Sequence, residues 1–222
     1  MIEELQRKEA ALKQQIVDVT NELFAADVIT ASGGNISARL EGTDIVWITP
    51  TRMFKGSLST DDLIRVDLDG NMLEGKTRPS VEAPMHTGIM RAREDVLAVV
   101  HSHAPYATAM ALCGVCVPPI CFDGFLVSKL PVVPFAMSGE ELAQAVLDNI
   151  GDWPGAFLQN HGMLAVGKTL RSAANLTLTV EHIGKILTIA RTLGEDSELK
   201  TLPPDLVAGL EAMGAQFAQL LV

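Results

Sequence analysis

Short apolar runs of strand length alternate along this chain with longer stretches of helical period, and few folds accommodate that alternation. Residues 36–39, 45–49, 63–68, 97–102, 156–159 and 163–166 have the length and β-branched or aromatic character of strands. Around them, residues 2–25, 82–93, 105–112, 139–150, 170–193 and 203–220 carry helical patterns. In the first of these, Leu5, Leu12, Ile16, Val19 and Leu23 fall near helical spacing between charged residues. Strands of mixed length with helices between them predict a layered α/β domain. The chain has 222 residues, close to half of them hydrophobic, which suits one domain over 1–222 with a sizeable core.

A net charge of −10 argues against nucleic acid as a partner, because replacing phosphate counterions requires basic surface. A small anionic substrate stays open, since it responds to the few charges lining its pocket. The start Met1-Ile2-Glu3-Glu4 is acidic and lacks the basic, then apolar, pattern of a signal peptide. No run approaches the roughly 18 continuous apolar residues of a membrane span. The expected location is the cytoplasm, with no membrane partner. Cys113, Cys116 and Cys121 lie in an apolar region without a second pair, so Cys113-x-x-Cys116 reads as buried thiols rather than a zinc ribbon.

Two of the five histidines stand in Val99-Val100-His101-Ser102-His103. Side chains alternate along a strand, so His101 and His103 project from one face and can converge on one ion. A third, His161, lies in Leu158-Gln159-Asn160-His161-Gly162, another apolar strand ending at a polar turn. Glu82 follows Pro79-Ser80-Val81, where the chain leaves a turn for a helix. One carboxylate and three imidazoles complete a four-coordinate set of the kind zinc accepts. Spacing alone leaves His86 and His182 as competing ligands. His86 is one helical turn beyond Glu82 and is expected to pack nearby; His182, inside a regular helix, is expected to be structural.

In this order, Gly33-Gly34-Asn35-Ile36-Ser37, Ile48-Thr49-Pro50-Thr51, Pro79-Ser80-Val81-Glu82, His101-Ser102-His103 and Asn160-His161-Gly162 resemble the class II aldolase/adducin family. The similarity runs from about residue 5 to residue 190. The resemblance implies a three-layer α/β/α sandwich with a central, largely antiparallel sheet, and a homotetramer with active sites between subunits. It implies one divalent metal ion per chain, zinc first and manganese as the alternative, held by His101, His103, His161 and Glu82. It also makes Glu82 an acid/base group that leaves the ion to open a position for substrate. Gly34, Asn35, Thr51 and Ser80 match substrate-binding positions, and Asp123 falls where epimerase-like members place an acid/base aspartate.

The chain departs from the pattern at three places. Relatives often have glycine after Ile-Thr-Pro-Thr and a serine pair before the acidic residue; here stand Arg52 and Ser80-Val81. The only tyrosine is Tyr106, while Phe122 and Phe217 occupy stretches where the family's enzymes use tyrosine. The metal set is intact, and the anionic group of the substrate, phosphate or carboxylate, is left open. The resemblance therefore implies retro-aldol cleavage of a small hydroxy-carbonyl compound through a metal-stabilised enediolate. A decarboxylase of oxo acids or hydroxylated aromatic acids is the alternative, because Arg52 can clamp a carboxylate bidentately. A sugar-phosphate 4-epimerase ranks third, and a non-catalytic adducin-like module is disfavoured by the retained histidines.

Overall fold

A computed structural model describes residues 2–114, 117–194 and 198–214. Its centre is an eight-stranded sheet built from β1 (Asn35–Arg39), β2 (Val46–Ile48), β3 (Ile64–Val66), β4 (Met72–Glu74), β5 (Ala98–Ser102), β6 (Val132–Val133), β7 (Gly155–Leu158) and β8 (Gly162–Gly167). The spatial order is β4-β3-β2-β1-β5-β8-β7-β6, and every neighbouring pair is antiparallel except β6 with β7. Seven α-helices accompany the sheet among the described residues: α1 (Ile2–Ala25), α2 (Ala83–Ala92), α3 (Pro105–Cys113), α4 (Phe122–Lys129), α5 (Glu140–Ile150), α6 (Leu170–Gly194) and α7 (Pro204–Met213).

Alternation along the central strands separates two cores. Ile36, Ala38, Ala98, Val100, Met163 and Ala165 face α1, α3, α4 and α6, with Leu23, Ala107, Phe125, Leu176 and Val180 packed against them. Val46, Ile48, Val99, Leu164 and Val166 face the opposite side, where Met85, Ile89 and Met90 of α2 and Leu142 and Val146 of α5 cover them. Both faces of β5 are buried, which is why 97–102 reads as a continuous apolar run instead of an alternating one. The result is the expected three-layer α/β/α sandwich.

The differences from sequence expectation are local. β4, α4 and β6 carry no clear periodic signal: β4 has three exposed residues and β6 only two residues. α7 ends at Met213, and the rest of the expected helix over 203–220 beyond residue 214 lies outside the described residues, as do Phe217 and Cys116. Cys113 is exposed, which corrects the expectation of a buried thiol: it sits in the last turn of α3, just before Gly114 takes a left-handed conformation. Cys121 is half-buried, and its sulfur caps α4 by accepting from the Gly124 N–H. Among the described residues, no helix is long and apolar enough to cross a membrane.

Candidate metal centre

β5 stops where Ala104 and Pro105 end the ladder, because proline has no N–H to donate and restricts the residue before it. The Glu181 carboxylate of α6 then accepts from the Tyr106 and Ala107 N–H groups at 3.0 Å each, satisfying donors that the first turn of α3 leaves free. His101 and His103 therefore stand at the end of a strand whose continuation turns away. The adjacent β7–β8 connection brings His161 to the same end. Asn160 takes a left-handed φ of 58° there, and the His161 N–H donates to the Leu158 carbonyl at 3.1 Å. Glycine is required next, because a Cβ on Gly162 would collide with the Ser102 carbonyl.

The three imidazoles meet. Their ring centroids are 4.8, 4.8 and 5.1 Å apart, and one ligand nitrogen from each lies within 4.8 Å of the others. Glu82 joins them from the N-terminal end of α2, with Oε1 3.1 Å from His161 Nε2 and Oε2 3.4 Å from His101 Nε2. His101 Nδ1 lies 2.9 Å from the Met163 carbonyl, which only accepts, so the His101 proton sits on Nδ1 and its Nε2 lone pair is bare. That bare nitrogen faces His103 Nε2 at 3.0 Å. Three converging imidazole nitrogens beside a carboxylate, with a carbonyl fixing one ring from behind, fit a divalent metal ion.

Burial shapes the charges. It pushes His101 down to about 4, against the pull of Glu82 in the other direction, and pushes His103 down as well. Burial alone would raise Glu82, but the His161 hydrogen bond, the His101 charge and the Asn35 amide outweigh it and hold the carboxyl below its usual range. These tendencies favour neutral His101 and His103 and an ionised Glu82, the protonation states in which such groups ligate metals.

Gly34 and Asn35 start β1 at the same end of the sheet. Gly34 has a φ of 84°, and a Cβ there would stand 2.7 Å from Ile29 and 3.1 Å from the His101 carbonyl, so this loop lies directly against the histidine strand. Asn35 pairs with His101 across the ladder and shares its face. The Asn35 side-chain amide donates to Glu82 Oε2 at 2.6 Å, which commits that donor to the carboxylate. Ser80 is buried, and its hydroxyl accepts from the Glu82 N–H at 3.2 Å. Thr51 is half-buried beside this turn, its N–H donating to the Arg78 carbonyl at 3.2 Å. Arg52 is exposed, with a left-handed φ of 52° and no side-chain partner among the described residues. Asp123 is exposed in the first turn of α4 and makes no hydrogen bond or ion pair with Glu82 or the histidines. His86 packs one residue removed from Glu82, through Asn35, while His182 is exposed on α6 and outside the cluster.

Two polar side chains escaped the sequence reading, one of them in contact with Glu82. The Ser138 hydroxyl donates to Glu82 Oε1 at 3.2 Å from the loop before α5, and no motif links it to the histidines. Lys55 is 1% exposed, donates to the Pro50 carbonyl at 2.7 Å, and is pushed down to about 8 by burial. In sequence it resembles any surface lysine.

Residues 14–188 match the family described as the class II aldolase and adducin N-terminal domain. The chain belongs to the class II aldolase/adducin family. It is 28% identical over 200 residues to the 5-deoxy-D-ribulose 1-phosphate aldolase of Bacillus thuringiensis serovar kurstaki, spanning 89% of this chain and 92% of that protein. It is also 28% identical over 195 residues to the L-ribulose-5-phosphate 4-epimerase UlaF of Salmonella paratyphi B, spanning 81% of this chain and 85% of the relative. Among solved structures, an L-fuculose 1-phosphate aldolase superposes with a TM-score of 0.78 at 28% identity, covering 93% of this chain and 96% of that one.

Proposed function

We propose that this chain is a metal-dependent carbon–carbon lyase that cleaves a small, anionic hydroxy-carbonyl substrate by a retro-aldol reaction in the cytoplasm. His101, His103 and His161 hold one divalent ion per chain, zinc first and manganese second, with Glu82 as a ligand that substrate displaces. The observation that carries this reading is the position of the Glu82 carboxylate, 3.1 Å from one ligand imidazole and 3.4 Å from another. When bound, the ion supplies a Lewis acid to the substrate carbonyl. Glu82, kept ionised, takes the proton from the hydroxyl on the carbon that becomes the aldehyde. As that C=O forms, the carbon–carbon bond breaks and its electron pair moves into the ketone fragment. The same carboxyl then returns its proton to that fragment's carbon. Asn35 and Ser138 hold the carboxylate through this exchange by donating to one oxygen each.

The backbone around Gly34, with Thr51 and Ser80, forms the end that takes the substrate's anionic group. Since Asn35's amide is engaged with Glu82, the anion at this end relies on backbone N–H groups and hydroxyls. A panel of ketose phosphates, unphosphorylated hydroxy-oxo acids and hydroxybenzoate dicarboxylates tests the assignment, with aldehyde and carbon dioxide followed separately. Aldehyde from a ketose phosphate supports it; carbon dioxide alone overturns it in favour of a decarboxylase.

Arg52 favours that second reading. A left-handed residue with a Cβ costs roughly 1–2 kcal/mol, and glycine would avoid the cost, so the side chain is retained at a strained position. Arg52→Ala is expected to raise KM by more than about tenfold, or about 1.4 kcal/mol of binding. Arg52→Gly should lose binding equally yet melt at higher temperature than Arg52→Ala. Unchanged kinetics in both variants would place Arg52 outside the pocket and remove the support for carboxylate recognition. Epimerisation, by cleaving and rejoining the same bond, stands third, and an assembled histidine cluster weighs against a non-catalytic module.

The active sites of this reading lie between subunits of a homotetramer. Asp123 makes no hydrogen bond or ion pair with Glu82 or the histidines within one chain, and its acid/base role in this reading is at the site of an adjacent copy. Val81, Phe122, Phe135 and Met137, all exposed, are apolar surface of the kind such packing covers.

A further inference from the structure

Four buried side chains form an unbroken series behind the metal centre: Glu82, Asn35, His86 and Ser37, none more than 6% exposed. Asn35 Nδ2 lies 2.6 Å from Glu82 Oε2, Asn35 Oδ1 lies 2.5 Å from His86 Nε2, and Ser37 Oγ lies 2.7 Å from His86 Nδ1. Asn35 presents its NH2 group to Glu82 and its carbonyl oxygen to His86, which gives the series a direction. That oxygen only accepts, so His86 Nε2 carries a proton. The Ser37 hydroxyl meets the other ring nitrogen, Nδ1, and ends the series on the sheet.

We propose that His86 is a positioning residue: its Nε2–H fixes the Asn35 amide in the one orientation that aims an N–H at Glu82, and so holds the proton-moving carboxylate in register with the three histidines. The placement follows from the fold. Asn35 and Ser37 are alternate residues of β1 and share a face, while His86 lies one helical turn after Glu82 on α2, so the series ties the central sheet to the helix that carries the carboxylate. Without His86 the buried Asn35 carbonyl loses its donor, so the amide is anchored only at the end that touches the carboxylate it positions. The proposal rests on Glu82 acting as the acid/base group; the orientation of the series does not.

Selective 15N labelling of the histidines in the metal-stripped wild-type protein, read at pH 7, should find a proton on His86 Nε2. One of the two Asn35 side-chain amide protons should exchange slowly with solvent. In His86→Leu that slow exchange should be lost, and in His86→Gln, whose side-chain amide can donate from a similar reach, it should return. With a ketose phosphate as substrate, His86→Leu should lower kcat by about 10- to 100-fold, the scale of one hydrogen bond to a charged group, with little change in KM. His86→Gln should restore most of the loss, which a purely space-filling histidine would not predict. A His86 protonated on Nδ1 alone, or an Asn35 amide that stays protected in folded His86→Leu, overturns the proposal. Should that variant fail to fold, the wild-type tautomer and the Gln variant still decide it. A wild-type protein with the expected tautomer and no turnover of any ketose phosphate would instead count against the lyase reading.

Discussion

Glu82→Gln is expected to reduce turnover by about 10²- to 10⁴-fold, the range that general acid/base groups contribute, while most of the bound metal stays in place. Glutamine keeps the size of the side chain, and its carbonyl oxygen can still accept from Asn35. It cannot take a proton, and its NH2 group sets a donor where Ser138 now donates. Three imidazoles remain to hold the ion, so metal content and kcat should separate. The two are measured on one preparation, by elemental analysis and by steady-state rates. Wild-type turnover in a metal-replete Glu82→Gln protein would remove this carboxylate from the chemistry.

The second large effect is on the metal itself. His161→Ala should weaken metal binding by more than about 100-fold, since disturbing only the partners behind a ligand already costs roughly 10- to 100-fold. His161 is the cleanest position for this test because it sits on a turn and is half-buried. His101→Ala should lose the ion as completely, but it also opens a cavity at a fully buried site and removes a donor to the Met163 carbonyl, so its stability should fall as well. His182→Ala, exposed on α6 and outside the cluster, should keep a full complement. Full metal retention in folded His161→Ala would contradict the ligand set.

The sequence exposes the fold wherever burial repeats with a period. β5 and β8 are legible because both faces are covered, and α5 because Leu142, Ala143, Val146 and Ile150 return at helical spacing. β4 and β6 escape because three exposed residues or two residues alone form no pattern, and their place is set by neighbours in the sheet. The site follows the same logic. His101 and His103 share a face by strand alternation, and Gly162 marks a close backbone approach. What brings His161 beside them is the pairing of Ser102 with Met163, a tertiary fact that no local signal records. The direction of Asn35's amide was equally hidden. The motif suggests a substrate contact, and the structure adds a hydrogen bond from the side chain to Glu82.

The most direct test of the central claim is the rate of aldehyde release from a ketose phosphate before chelation, after it, and after one equivalent of zinc or manganese is returned. The proposed centre predicts that release disappears with the metal and comes back with it, at about one ion per chain, as expected for a single closed ligand set. Undiminished aldehyde release from protein shown by elemental analysis to be metal-free would contradict it.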